Sequence, residues 1–323
     1  MIKPSGRTYL NMIKRLQHIL AGVPFVFSIC ALASSCGNRT APQTHNGIIA
    51  AQYGQAENVE LQTKLGICTI RMIRPKIDDG RLWLVFHGSG GSTLSLDSFV
   101  EPFLDPSAGS FPVLASISFG PSWFLSAETD LQPVSGLAIF KETIFPAIRK
   151  AVGQDRITLG IGYSMGGFNL LSVYLDDPAA FNALVFINPA LLTISPASST
   201  DEIHAYTLRT KAYSTKQFFK SILGRPLDGN VQVILNNRSY LSLSKEVWER
   251  IDPLKLLARR NGLPVIPVLV TCGRRDAYGL MEGSRTLAEM MGKYAKVSTY
   301  FHNGGHLTIP ADTIRSFIKD ETS

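Results

Sequence analysis

The sequence predicts an α/β protein: a mainly parallel sheet with helices on both faces and an insertion after the sixth strand. Three observations carry this. Short continuous apolar runs, such as residues 82–86 and Ala183–Ile187, have the length and composition of strands buried on both faces. They alternate with longer stretches whose apolar residues recur at helical spacing, as Phe140, Ile144 and Ile148 do. One apolar run, residues 157–161, passes through Gly162-Tyr163-Ser164-Met165-Gly166-Gly167 straight into the helical pattern Phe168, Leu170, Leu171, Val173, Tyr174. A strand that turns this sharply into a helix needs glycine where side chains would collide.

The elements follow in order. Basic residues open the chain, and an apolar run of about fifteen residues spans 19–33, short of the ~20 that cross a bilayer comfortably. Residues 1–35 are therefore expected to be a signal peptide, with Met12 as an alternative start directly before a compact basic stretch. Two processing sites fit. Leu32-Ala33-Ser34-Ser35-Cys36 resembles a bacterial lipobox, with Ala33 where leucine is usual, and would put a lipid on Cys36. Ala31-Leu32-Ala33 fits an ordinary A-x-A site that would release a soluble protein; an uncleaved anchor is the third reading. The lipobox is preferred, because Cys36 ends the apolar run and a polar linker rich in Asn, Thr, Pro and Gln follows over 37–47. Residues 36–58 then form a tether, and the folded domain is expected over 59–323.

Residues 60–64 and 67–73 are β-branched stretches expected to pair antiparallel at a sheet edge, and Asp78-Asp79-Gly80 is expected to be a turn. Strands are expected over 82–86, 113–117, 157–161, Ala183–Ile187, 265–270 and 297–301. Helices are expected over 137–152, after Ser164, over Leu280–Met291 and around Ile314 to Ile318. Residues 190–263 interrupt the alternation and are too long for a simple connection. Helical pieces are expected there at 216–223 and 245–250, forming a lid or pocket wall over the strand ends.

The chain has 323 residues, 45% hydrophobic and 18% charged, enough apolar material for a large core. The net charge of +7 falls to +3 without Lys3, Arg7, Lys14 and Arg15 of the first 35 residues, and no arginine-rich motif with interleaved aromatics exists, which argues against nucleic-acid binding. Outside the export segment only Cys68 and Cys272 remain, and these are expected to be two small buried apolar residues, although pairing is open to an exported protein.

The chemistry centres on Ser164. A serine hydroxyl is a poor nucleophile and needs a base, the base needs an orienting acid, and the oxyanion needs donors. Of six histidines, His18 and His45 lie in the export segment and linker, His204 in the insertion, His302 at a strand end and His87 in the loop after residue 86. His306, in Asn303-Gly304-Gly305-His306 after the last strand, is the expected base. Asp276, in Gly273-Arg274-Arg275-Asp276, is the expected acid; Glu282, inside the next helix, is the runner-up. The oxyanion donors are expected to be the backbone N–H groups of Met165 and of Ser89, within His87-Gly88-Ser89-Gly90-Gly91.

These segments resemble the α/β-hydrolase superfamily and, within it, the esterase D-like group, which includes feruloyl and acetyl esterases, S-formylglutathione hydrolase and mycolyltransferases. The resemblance runs from about Val59 to the C-terminus. It rests on Gly162-Tyr163-Ser164-Met165-Gly166-Gly167, Asn188-Pro189-Ala190, Asp252-Pro253-Leu254, Gly273 with Asp276, and Gly304-Gly305-His306. It implies a triad of Ser164, Asp276 and His306, oxyanion residues Met165 and Ser89, and no metal or cofactor. The function expected is an exported serine esterase acting on a small-molecule or carbohydrate ester, held to a bacterial membrane in the periplasm or at the cell surface, or else secreted. An acyltransferase using the same acyl-enzyme, or a non-catalytic ligand-binding surface protein on the same scaffold, are the alternatives.

Overall fold

The computed structural model describes residues 47–118, 123–125, 128, 134–213, 217, 229–239 and 244–321. The expected signal peptide and Cys36, and all of the expected helix at 216–223 except Gln217, lie outside these residues. Eight strands form one sheet: β1 (Glu57–Thr63), β2 (Gly66–Ile73), β3 (Asp78–Phe86), β4 (Phe111–Ser118), β5 (Ile157–Tyr163), β6 (Ala183–Ile187), β7 (Pro267–Gly273) and β8 (Lys296–His302). Their order is β1-β2-β4-β3-β5-β6-β7-β8. β2 runs antiparallel to both β1 and β4, and every other neighbouring pair is parallel.

Side chains alternate across β3. Leu82, Leu84 and Phe86 enter the core on one face, with Phe140, Ile144, Ile148, Phe168 and Leu171. Trp83 and Val85 enter the other, with Leu96, Val100, Phe103, Ile314 and Phe317. Both faces are covered, so β6 and residues 82–86 of β3 are apolar without interruption, each fully buried side chain contributing about 1.5–3 kcal/mol. The helix that follows β5, Met165–Asp176, is buried from Met165 to Leu175, which explains why its sequence lacks a polar face.

Four local departures have physical causes. Asp78-Asp79-Gly80 is no turn between elements but the start of β3, at a register irregularity against β4. Gly80 takes φ +82° there, its N–H donates to Asp78 Oδ1 at 2.8 Å, and the Arg156 guanidinium grips both Asp78 oxygens. The expected helix at 137–152 exists but opens into a π-turn over Phe140–Ile144 just ahead of Pro146, whose ring and missing N–H disturb the preceding turn. β7 starts at Pro267, leaving Val265 80% exposed. Packing begins before Val59: Tyr53, after the helix Ile48–Gln52, is buried with its ring 5.8 Å from that of Phe111. Cys68 and Cys272 are each buried and unpaired, and burial pushes both thiols up to about 12.

Between β6 and β7 the described part of the insertion is helical: Thr200–Thr210, Val231–Ser239, Lys245–Ile251 and Pro253–Ala258. Thr200–Thr210 opens with a capping box between Ser199 and Glu202. Tyr206, fully buried, donates to the carbonyl of Gly279 at 2.8 Å. The insertion is thus fastened to the loop after β7. No helix among the described residues is long and apolar enough to cross a membrane.

Close packing at the β5–helix turn yields a direct test. A Cβ built on Gly166 would lie 1.9 Å from the carbonyl oxygen of Phe86, a backbone atom that cannot yield cheaply, whereas one on Gly109 meets nothing within 4 Å. Gly166→Ala should therefore destabilise the domain by at least about 3 kcal/mol or prevent folding, and Gly109→Ala should leave the unfolding midpoint nearly unchanged. Equal midpoints for the two variants in chemical denaturation would contradict this packing.

Candidate active site

Three loops at the C-terminal ends of β5, β7 and β8 bring Ser164, Asp276 and His306 together. His306 Nδ1 lies 2.8 Å from Asp276 Oδ2, and His306 Nε2 lies 3.1 Å from Ser164 Oγ. The Asp276 side chain is fully buried, and that of His306 is 15% exposed. A buried carboxylate accepts, so Nδ1 carries the proton and donates to Asp276. That leaves the Nε2 lone pair free to accept from the Ser164 hydroxyl. The second carboxylate oxygen, Oδ1, accepts from the N–H of Tyr278 at 2.8 Å. Each oxygen of Asp276 thus has its own donor, which fixes the carboxylate plane that holds the imidazole.

Ser164 sits at φ 54°, ψ −118°, a backbone region costing on the order of 1–3 kcal/mol for a residue with a side chain. Its surroundings hold it there. Its N–H donates to the carbonyl of Ile187 at 3.0 Å, and its carbonyl accepts from Gly167 at 2.9 Å and from Ala190 at 2.7 Å. Gly162 and Gly166 permit the close approach, since a Cβ on Gly162 would lie 2.6 Å from the Gly166 carbonyl oxygen. The elbow helix begins at Met165 and directs its positive end at the serine.

The loop after β3 runs alongside. A Cβ on Gly88 would lie 3.3 Å from that of Ser164, which sets Ser89 on a tight turn close to the nucleophile. That turn closes with Gly91 N–H donating to the Gly88 carbonyl at 3.0 Å, and Gly90 takes φ +77°. His87 braces it: Nδ1 donates to the Gly88 carbonyl at 2.7 Å, and Nε2 accepts from the Ser118 hydroxyl at 2.9 Å. Burial pushes His87 below the usual histidine range, so it is neutral and structural.

The remaining sequence candidates sit apart from the triad. His302 accepts from the N–H of Gly304 at 3.1 Å and shapes the base loop, and its pKa is lowered by burial. His204 is exposed on an insertion helix. Glu282 is engaged with the Arg209 guanidinium at 2.8 and 2.9 Å and with the Thr193 hydroxyl. Those bonds hold its carboxyl below the usual range and leave it none for His306. A cleft of about 520 Å³ opens between the insertion and the helix Leu280–Met291, and no triad residue lines it. Arg209, Glu249 and Lys255 on its walls are already paired with carboxylates or ammonium.

Tyr163 and Asn188 stand in the stretches that carry the resemblance, but their grip on the catalytic loops shows only in the structure. Tyr163 donates its hydroxyl to the His306 carbonyl at 3.2 Å, and its ring centroid lies 5.4 Å from the imidazole. Tyr278 meets the same imidazole edge-on at 4.8 Å. Asn188, fully buried, bonds both the acid and the base loops. Asparagine at a strand end was the available signal, since asparagine tolerates left-handed backbone and Asn188 adopts φ 43°.

Sheet order, nucleophile turn and triad order together decide the fold. The chain has the α/β-hydrolase fold. No protein-family model and no curated protein matches the sequence. Solved structures do resemble it. An esterase from Pyrobaculum calidifontis matches at a TM-score of 0.57 and 14% identity over 84% of this chain and 86% of that one. A ferulic acid esterase matches at 0.51 and 12% over 83% and 95%. An S-formylglutathione hydrolase from Agrobacterium tumefaciens matches at 0.50 and 14% over 84% and 95%. Identities this low speak for the α/β-hydrolase fold alone.

The two depressed histidines make stability depend on pH. His87 and His302 are held neutral by burial, whereas in the unfolded chain they titrate near 6.5. Above about 6.5 neither state binds the proton and stability is unaffected; below it the unfolded chain binds more protons, so stability falls until the folded-state pKa is passed. Asp78 and Glu282, both lowered by their arginine partners, weaken the fold only below about pH 4.5. The urea midpoint should therefore drop between about pH 7.5 and 5.5, and drop less in His302→Asn, whose amide oxygen can still accept from Gly304. An identical midpoint at both pH values would show that these imidazoles are not buried neutral.

Proposed function

We propose that the chain is an exported serine esterase that hydrolyses a carboxylic ester through an acyl-enzyme on Ser164. The observation that carries this reading is the unbroken relay from Asp276 through His306 to Ser164, at 2.8 and 3.1 Å. Ser164 attacks the acyl carbonyl while His306 takes its proton at Nε2. Asp276 stabilises the imidazolium and keeps it oriented. The N–H groups of Met165 and Ser89 receive the developing oxyanion, aided by the positive end of the elbow helix. His306 returns the proton to the leaving alcohol, then activates water to release the acid. The esterases among similar folds support an ester as the substrate class; a small-molecule or carbohydrate alcohol is the reading the sequence motifs suggest.

In the same reading residues 1–35 direct export, Cys36 carries a lipid, and the polar segment after it tethers the hydrolase domain to a bacterial membrane. The support is sequence pattern: Cys36 closes the apolar run and a polar stretch follows.

Mutation separates these roles. With p-nitrophenyl esters, Ser164→Ala should lower kcat on the order of 10⁴–10⁶-fold without loss of fold. Asp276→Asn should cost somewhat less, and Glu282→Gln should stay near wild type. Near-wild-type turnover by Ser164→Ala would contradict the mechanism, and a dependence on Glu282 in place of Asp276 would contradict the acid assignment. For the anchor, fractionation of cells and mass spectrometry of the mature N-terminus should find lipid on Cys36 and loss of processing in Cys36→Ser. A soluble wild-type protein beginning at Ser34 would instead show release at the Ala31-Leu32-Ala33 site.

A further inference from the structure

The turn after β6, residues 187–190, touches all three catalytic loops, although none of its side chains does chemistry. On the nucleophile side its backbone brackets Ser164: the Ile187 carbonyl accepts from the Ser164 N–H, and the Ala190 N–H donates to the Ser164 carbonyl. Toward the acid and base it uses one side chain. Asn188 Oδ1 accepts from the N–H of Gly273 at 2.9 Å, where β7 passes into the acid turn. Its Nδ2 donates to the His306 carbonyl at 2.7 Å and to the Thr308 carbonyl at 3.3 Å. The chemistry of these partners, one N–H and two carbonyls, allows a single orientation of the amide. Gly273 in turn accepts from the Asp276 N–H at 3.0 Å, and Arg275 N–H reaches the Gly304 carbonyl at 3.0 Å.

We propose that Asn188, seconded by the Tyr163 hydroxyl on the same His306 carbonyl, is a positioning residue that sets the spacing of base and acid. This rests on the serine-hydrolase reading above. Three features favour that role over simple core filling. Asn188 is fully buried with both ends of its amide satisfied, so each bond acts in a low-dielectric setting. It adopts φ 43°, which asparagine, aspartate and glycine tolerate best, and this aims the side chain across β7. Its partners include the backbone of the catalytic histidine itself and the first residue of the acid turn. Displacement of a catalytic group by about 1 Å costs on the order of a hundredfold in rate.

Two substitutions separate backbone from side chain. Asn188→Gly keeps the conformation and removes the amide. Asn188→Asp keeps the shape and the Gly273 bond but turns a negative oxygen toward two carbonyls. Both should lower kcat for a p-nitrophenyl ester and the rate of fluorophosphonate labelling by about ten- to a hundredfold, with KM within about twofold. Asn182→Ala is the control: its side chain accepts from the Thr158 N–H at 2.8 Å at the opposite end of the sheet, so the loss is one of stability alone. It should label at the wild-type rate. Circular dichroism and unfolding midpoints establish which variants fold. If neither Asn188 variant does, Tyr163→Phe decides, because it removes only the second donor to the His306 carbonyl; slowing of about threefold or more supports the proposal, and a wild-type rate overturns it. Folded Asn188 variants that label and turn over like wild type overturn the positioning role alone. A wild-type chain inert to both esters and fluorophosphonate overturns the hydrolase reading and this proposal with it.

Discussion

The backbone of Ser164 is the constraint on which the site depends. A serine at φ 54°, ψ −118° stays there only if its neighbours leave no alternative. The bonds from Ile187, Gly167 and Ala190 and the bare glycines at 162 and 166 supply that confinement. Relaxing the turn would swing Oγ away from His306 and widen the packing between β5 and the elbow helix. The strain is offset by burial of almost the whole of that helix. Stability and nucleophile geometry therefore share one structural cause.

Around that turn, the catalytic chemistry is distributed over backbone groups as much as side chains. Asp276 is oriented by the N–H of Tyr278, the base loop by carbonyls that Asn188 and Tyr163 grip, and the loop after β3 by a neutral His87. Fixed dipoles of this kind need no rearrangement when charge develops, which is what makes such sites effective. The insertion belongs to this framework as well. Through Tyr206 and Arg209 it is fastened to Gly279 and Glu282, immediately beyond the acid turn.

Much of this was legible in the sequence, for identifiable reasons. Strands buried on both faces write themselves as unbroken apolar runs, so Ala183–Ile187 and the core of β3 were evident to the residue. The glycines at 162, 166 and 167 mark a turn that few other structures require, and so point to Ser164. His306 and Asp276 follow from the ends of consecutive strands. What stayed hidden depends on three-dimensional contact. Asp78-Asp79-Gly80 has turn composition, but its pairing with β4 and Arg156 makes it strand. Asn188 and Tyr163 act through a histidine more than a hundred residues away in the chain, a separation that carries no periodic signal. The π-turn before Pro146 arises from backbone geometry that hydrophobic spacing does not encode.

Ser164 owes its reactivity to the His306 imidazole, whose Nε2 lies 3.1 Å from its hydroxyl oxygen. The most direct measurement is peptide mapping by mass spectrometry after reaction with a fluorophosphonate. One adduct per chain is expected, on the peptide that carries Ser164, and it should vanish when His306 is replaced by alanine. An adduct on another serine, or unchanged modification of Ser164 without His306, would contradict activation of Ser164 by His306.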